Sequence, residues 1–211
     1  MNLEFNIQDI LATDMSSVEP RLFVRGPRDH RERDRLYEKH ECQYRMLKWL
    51  TWQFNHIEIL DLGTRAGTSA FCLADNPANE VLACDITYIH KGVDVEPFLT
   101  RAGIDVFKGS VMDLSDDTLL NATIISLDID HKGYTERLFL NRLKEIGFSG
   151  YVIMDDVNFP RRFKRLHEVW LEIDLPKMLL PREIAHDTGT GIVAFGSNSF
   201  SVVLPIDESK G

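Results

Sequence analysis

The segment Ile57-Glu-Ile-Leu-Asp-Leu-Gly-Thr-Arg-Ala-Gly-Thr-Ser-Ala70, followed by the apolar run Val81-Leu-Ala-Cys84 that ends in Asp85, restricts this chain most. An apolar strand runs into a turn whose glycines, Gly63 and Gly67, stand four apart, and Thr68 to Ala74 reads as a helix. An acidic residue closes a second strand 22 positions after Gly63. Glycine is needed where backbone approaches a ligand closely or takes a positive φ, and a carboxylate at the tip of the next strand suits a ribose diol. The unit predicts a nucleoside site at the carboxyl edge of a parallel sheet.

The turn also narrows the nucleoside. Dinucleotide folds use Gly-x-Gly-x-x-Gly, where the second glycine lets a pyrophosphate sit on a helix N-terminus. Arg65 stands at that second position, so a diphosphate fits poorly. The order Asp61-x-Gly63-x-x-x-Gly67-x-Ser69 instead resembles the first motif of class I S-adenosylmethionine-dependent methyltransferases. The resemblance implies a cofactor cradle of Asp61, Gly63, Thr64, Gly67, Thr68 and Ser69, with Asp85 on the ribose. The plainer alternative is a strand-turn-helix that happens to hold two glycines.

Size and composition agree with an enzyme of this kind. A chain of 211 residues is a usual length for one α/β domain with a substantial core. Its 27% charged and 44% hydrophobic residues are those of a globular protein. A net charge of −9 argues against nucleic-acid binding, since a polyanion is repelled over most of the surface. There is no apolar run of about 18 residues and no basic-then-apolar start, so neither a membrane nor a signal peptide is expected. The three cysteines, Cys42, Cys72 and Cys84, lack C-x-x-C spacing and read as core residues of a reducing, cytoplasmic compartment.

Read along its length, the chain has a leader over 1–28, with a short strand at Arg21–Arg25, and then a domain over 29–211. Asp29 to about Phe54 is helical, with Asp29 as a cap and Leu36, Leu47 and Leu50 near one face. Strands are expected at 57–62, 81–85, 104–108, 123–128, 150–155, 191–196 and 199–204, and helices near 67–75, 95–102, 115–120, 134–146 and 161–172. Alternating strands and helices predict an α/β fold: a mostly parallel seven-stranded sheet, helices on both faces, right-handed crossovers. The last two strands, joined by Gly-Ser-Asn, are expected to form an antiparallel hairpin edge.

The chemistry lies in the second half. Strand 123–128 ends in Ser126-Leu-Asp-Ile-Asp-His131, and strand 150–155 in Met154-Asp-Asp-Val157. Carboxylates crowded at neighbouring strand ends repel one another, and a divalent cation makes such a cluster tolerable. Oxygen ligands suit Mg²⁺ or Mn²⁺. The spacing resembles the metal-dependent O-methyltransferases of the catechol and macrolide-sugar types, which implies Asp128, Asp155 and Asp156 as ligands. Asp128 then also borders the cofactor. Asp130 competes for its role by a one-residue register change; Asp128 keeps the three-residue offset to His131.

That offset matters because the resemblance places a base there, lysine in the catechol enzymes and histidine in the sugar enzymes. His131 makes this chain similar to the latter, and a pKa of about 6.5 suits the task. The implied scheme is a cation that acidifies an acceptor hydroxyl, His131 taking the proton, and in-line attack on the sulfonium methyl. Alternatively His131 caps a helix or bonds within a loop. Ser110 and Val111 either touch the adenine or form an ordinary β-α turn. Arg161 to Arg165 either greets an anionic acceptor or is a solvated helix face. The run from His186 to Gly191 either closes over the substrate or is a glycine-rich approach to a strand. Trp49 and Trp52 read as packing, and Tyr37, Tyr44 and Tyr134 have no assigned place.

The resemblance implies a metal-assisted O-methyltransferase acting on a small molecule or glycan, with a sugar hydroxyl the leading acceptor and a catechol the alternative. Sugar hydroxyls are weak acids, so a cation and a base together are a reasonable requirement. A non-catalytic nucleoside-binding module and a hydride-transferring dehydrogenase are the readings of other classes. Homo-oligomerisation is left open.

Overall fold

The computed structural model describes residues 1–18, 30–90 and 93–204, with side chains throughout except at 30–40, 89, 90 and 93. The expected strand at Arg21–Arg25, the cap at Asp29 and the side chains of Leu36 and Tyr37 lie outside the described residues. Strand β1 (Asn2–Asn6) and helix α1 (Ile7–Leu11) precede the long helix α2 (His30–Thr51). Then come β2 (Glu58–Leu62), α3 (Thr68–Leu73), β3 (Glu80–Asp85), a small antiparallel pair β4 (Ile89–His90) and β5 (Val93–Asp94), α4 (Glu96–Arg101) and β6 (Asp105–Lys108). The second half runs α5 (Asp116–Asn121), β7 (Ala122–Leu127), α6 (Tyr134–Glu145), β8 (Tyr151–Met154), α7 (Lys164–Glu172), β9 (Lys177–Leu179), β10 (Gly191–Ala194) and β11 (Ser199–Val203).

Seven strands form one sheet in the order β6-β3-β2-β7-β8-β10-β9. The pairs β6-β3, β3-β2, β2-β7 and β7-β8 are parallel, and β10 lies antiparallel to both β8 and β9. Buried on both faces, the central strands carry the apolar runs expected of covered parallel strands. Their side chains alternate between two cores. Ile59, Tyr151 and Ile153 pack with Met46, Leu47 and Leu50 of α2 and Phe71 of α3. Leu60, Leu62, Val152 and Met154 pack with Phe139 and Leu143 of α6 and Val169 and Trp170 of α7. Cys72 and Cys84 are buried and, like Cys42, free thiols.

Two features depart from the expected outline. The expected hairpin 191–196 and 199–204 does not form an edge by pairing with itself: β10 pairs with β9, and β11 leaves the sheet to pair in parallel with β1. The physical reason is that β9 already holds the second side of β10. Lys177 anchors β9, its ammonium donating to the carbonyls of Trp170, Leu171 and Ile173 at the end of α7. The first 18 residues, read as a mixed leader, send Phe5 and Ile10 fully buried into the α2-side core. Among the described residues no helix is long and apolar enough to cross a membrane.

Candidate active site

The register brings the strand ends level. Leu62 pairs with both Cys84 and Leu127, and Leu127 pairs with Met154. The residues that follow, Gly63, Asp85, Asp128 and Asp155, therefore emerge along one edge. From β2 the chain moves outward to β3 and β6, then returns to β7 on the other side, so the topological switch point lies between β2 and β7. Ligands of open α/β sheets bind in the crevice outside the carboxyl ends at such a point.

Gly63 stands at the switch point with φ +91°, and a Cβ there would lie 1.8 Å from the backbone oxygen of Asp128. Only glycine lets the two strand ends approach so closely. Gly67, at φ +84°, opens α3. Asp61 is 1% exposed, which places it beneath the loop rather than in the crevice. Its Oδ2 accepts the Ser69 hydroxyl at 2.9 Å, and its carbonyl accepts that of Thr64 at 2.8 Å. Burial pushes its carboxyl up to about 6 against these hydrogen bonds. The pair Asp61–Ser69 thus ties the end of β2 to α3 and shapes the turn.

Asp85 faces the open side. Its oxygens accept the backbone N–H of Arg65 at 2.7 Å and of Thr87 at 3.1 Å. A carboxylate has about four lone-pair sites, so capacity for a ribose diol remains, and the cradle fits a nucleoside. Gly109 N–H binds the Asp85 carbonyl at 3.0 Å, which brings Ser110 and Val111 beside the same tip. Ser110 caps a short 3₁₀ turn through Met112 N–H, and Val111 is buried.

The acidic strand ends converge on histidines. His131 Nε2 lies 2.8 Å from Asp128 Oδ1 and 2.8 Å from Asp156 Oδ2. Asp130 instead accepts Lys132 N–H and the Thr135 hydroxyl, each at 2.9 Å, so Asp128 is the member of the gathering. Asp155 and Asp156 meet a second imidazole, with His186 Nδ1 at 3.4 and 3.3 Å from their Oδ1 atoms. Ligand atoms of Asp128, His131 and Asp156 lie within 4.8 Å of one another, as do those of Asp155, Asp156 and His186. Asp156 belongs to both sets. Carboxylates and imidazoles at this separation are a donor set that fits a divalent cation.

Electrostatics follow from this crowding. Burial pulls the His131 imidazole down, but its bonds to Asp128 and Asp156 outweigh that and carry it up to about 10. His186 is raised likewise, to about 10, by Asp155 and Asp156. Burial pushes Asp156 up, yet His131, His186 and Thr188 together hold it well below the usual carboxylate range. Arg65, His131 and Asp156 all take left-handed φ of 47°, 58° and 59°. Such backbone costs on the order of 1–3 kcal/mol per residue and persists where surroundings over-determine it.

Several supports were not legible as such. Buried Glu136 accepts the N–H groups of His131 and Gly133, each at 2.8 Å, and so fixes the 128–133 loop as it opens α6. A Gly-x-x-Glu capping spacing was the available signal. The Phe163 ring stacks on His131 at 4.7 Å between centroids. Tyr44 reaches from α2 to the Thr68 side chain, close to Asp128 and Asp155, and burial pushes its phenol up. Nothing in a helical repeat marked that tyrosine. Trp49 packs on Phe5, while Trp52 is half exposed and donates to Asp75 at 2.9 Å. Arg161, Arg162, Lys164 and Arg165 are solvent-exposed. Exposed Tyr134 begins α6.

No protein-family model and no curated protein matches the chain. Solved structures do. A protein provisionally assigned as a caffeoyl-CoA O-methyltransferase from Staphylococcus aureus superposes with a TM-score of 0.55 at 16% identity, over 72% of this chain and 82% of that one. A protein provisionally assigned as an O-methyltransferase from Nostoc punctiforme gives 0.51 at 15% identity, over 71% of this chain and 55% of that one. The fold is therefore the Rossmann-like fold of these methyltransferases, with its mostly parallel seven-stranded sheet and antiparallel edge.

Proposed function

We propose that this protein transfers a methyl group from S-adenosylmethionine to a hydroxyl with the help of a divalent cation, and that the hydroxyl belongs to a sugar of a small molecule or glycan. The observation that carries the reading is the meeting of Asp128, His131 and Asp156 at the switch-point edge, next to Gly63 and in line with Asp85. Gly63, Thr64, Gly67, Thr68, Asp85, Ser110, Val111 and Asp128 border the cofactor, Asp61 and Ser69 shape its loop, and Asp128, Asp155 and Asp156 hold Mg²⁺ or Mn²⁺.

His131 is the base. With its carboxylate partners bare, the ring keeps its proton at neutral pH. A cation on those carboxylates would neutralise them, freeing the ring to accept a proton, and would acidify the acceptor hydroxyl. The acceptor oxygen bonds the methyl carbon as the carbon–sulfur bond breaks, its electrons pass to sulfur, and the hydroxyl proton goes to His131. Phe163 and Glu136 keep the imidazole and its loop in place for that transfer. A weakly acidic sugar hydroxyl needs such a base more than a catechol does, which favours the sugar reading.

The test is a labelled-methyl assay over sugars and catechols. Excess EDTA should abolish turnover while S-adenosylhomocysteine still binds. His131→Ala should lower kcat by roughly 10²–10⁴, the usual contribution of a positioned acid-base group. Full turnover in EDTA, or wild-type kcat in the variant, would refute the scheme.

A further inference from the structure

His186 lies in the run whose role the sequence left open between a substrate lid and a plain approach to a strand. We infer that it is a direct ligand of the cation, through Nδ1 beside Asp155 and Asp156, and that the site consequently prefers a transition metal such as Mn²⁺, Fe²⁺, Co²⁺ or Zn²⁺ over Mg²⁺. The inference rests on the reading that the acidic cluster holds a cation, and it changes which cation that is.

Three observations carry it. First, the spacing is that of ligand atoms sharing one ion. Two atoms each about 2.1 Å from an ion and subtending 90–109° are about 3.0–3.4 Å apart. His186 Nδ1 lies 3.4 Å from Asp155 Oδ1 and 3.3 Å from Asp156 Oδ1. Second, the other ring nitrogen is backed. Nε2 faces Asp187 Oδ1 at 3.5 Å, which holds the ring so that Nδ1 points at Asp155 and Asp156. That is the carboxylate–histidine–metal arrangement by which proteins orient a ligating imidazole. Third, the segment is fastened. Gly189 accepts Val157 N–H at 3.0 Å, and a Cβ on Gly189 would meet Asn158 Cβ at 2.4 Å, so 186–190 packs directly onto the chain after Asp156. Thr188 Oγ1, 2.5 Å from Nδ1 and bonded to Asp156, shares the same corner.

The chemistry decides the metal. Carboxylate and water oxygens suit Mg²⁺, whereas imidazole suits Zn²⁺, Fe²⁺ and their neighbours, and affinity for a nitrogen-containing set rises along the first-row series from Mn²⁺. Replacing one oxygen by Nδ1 leaves Mg²⁺ with a poor ligand and gives the transition ions a good one.

Calorimetry with Co²⁺ and with Mg²⁺ on the full chain, without cofactor or acceptor, tests this. Co²⁺ should bind at least about tenfold tighter than Mg²⁺. His186→Ala should cost Co²⁺ at least the roughly 10–100-fold that loss of an outer partner costs, and leave Mg²⁺ nearly unchanged. Should the variant fail to fold, the Co²⁺-loaded wild-type protein still answers by NMR: one strongly shifted, exchangeable imidazole N–H should appear and persist in His131→Ala. Equal affinities for the two ions, an unaffected variant or the absence of that resonance would overturn the inference and leave the methyltransferase reading standing. Binding of neither ion would sink the metal reading as well, with S-adenosylhomocysteine titrated into the same sample reporting whether the nucleoside cradle survives.

Discussion

Asp85 and Asp61 show how burial divides two carboxylates that sit on neighbouring strands. Asp61 is sealed under the turn and bonded to Ser69, while Asp85 is half-buried at the crevice with one backbone N–H on each oxygen. In the proposed reading Asp85 is therefore the one that holds the ribose hydroxyls. Its replacement by alanine should weaken S-adenosylhomocysteine by on the order of 2–3 kcal/mol, since hydrogen bonds to a charged group are lost. Calorimetry reads this directly, and an unchanged affinity would remove Asp85 from the cradle. Both residues were visible in the sequence as acids of neighbouring strands, but only burial separates the one that shapes the loop from the one that faces the crevice.

At the scale of elements, α2 is held to the sheet partly by a buried polar knot at the end of α3. Asp75 accepts the Ser17 hydroxyl at 2.6 Å and the Trp52 indole at 2.9 Å, and lies 3.3 Å from the Lys48 ammonium. Lys48 in turn donates to Ser17 at 2.6 Å, so the N-terminal segment, α2 and α3 share one network. Burial pushes the Asp75 carboxyl up, but Ser17, Trp52 and Lys48 outweigh it and hold it below the ordinary carboxylate value. A carboxyl whose folded pKa is depressed stabilises the fold above its unfolded pKa and loses that contribution as pH falls through the folded value. Asp75→Asn should therefore cost roughly 3–5 kcal/mol at pH 7, the usual cost of breaking a buried pair, and the gap to wild type should shrink in strong acid. Urea denaturation at the two pH values checks it; a gap that does not change with pH would mean the loss is one of packing.

For the whole molecule, the first residues complete the core. Phe5 is fully buried against Trp49, and Tyr151, in the centre of the sheet, donates its hydroxyl to the carbonyls of Met1 and Ser199. That bond joins β8 to the β1-β11 pair. Phe5→Ala should then destabilise the protein by roughly 3–5 kcal/mol, with one cooperative transition by circular dichroism and by fluorescence. A separate early transition for the N-terminal segment would show that it is an appendage.

The sequence by itself determined the sheet's central strands, the helices between them, the glycine turn and the line of acidic strand ends. These rest on local signals: two- and 3.6-residue periodicity, glycine where φ is positive, and a carboxylate at the tip of an apolar run. It left open Asp128 against Asp130, and the placing of Tyr44 and His186. Tertiary structure decided these, because each depends on what arrives from far along the chain. His131 is drawn to Asp156, 25 residues on, only because β7 and β8 end level, and His186 joins them only because β10 enters the sheet antiparallel to β8. The pairing of β11 with β1, at opposite ends of the chain, is of the same kind. A strand's alternation tells which faces it buries but not which strand will lie beside it, since neighbour choice is settled by competition for backbone hydrogen bonds across the assembled sheet.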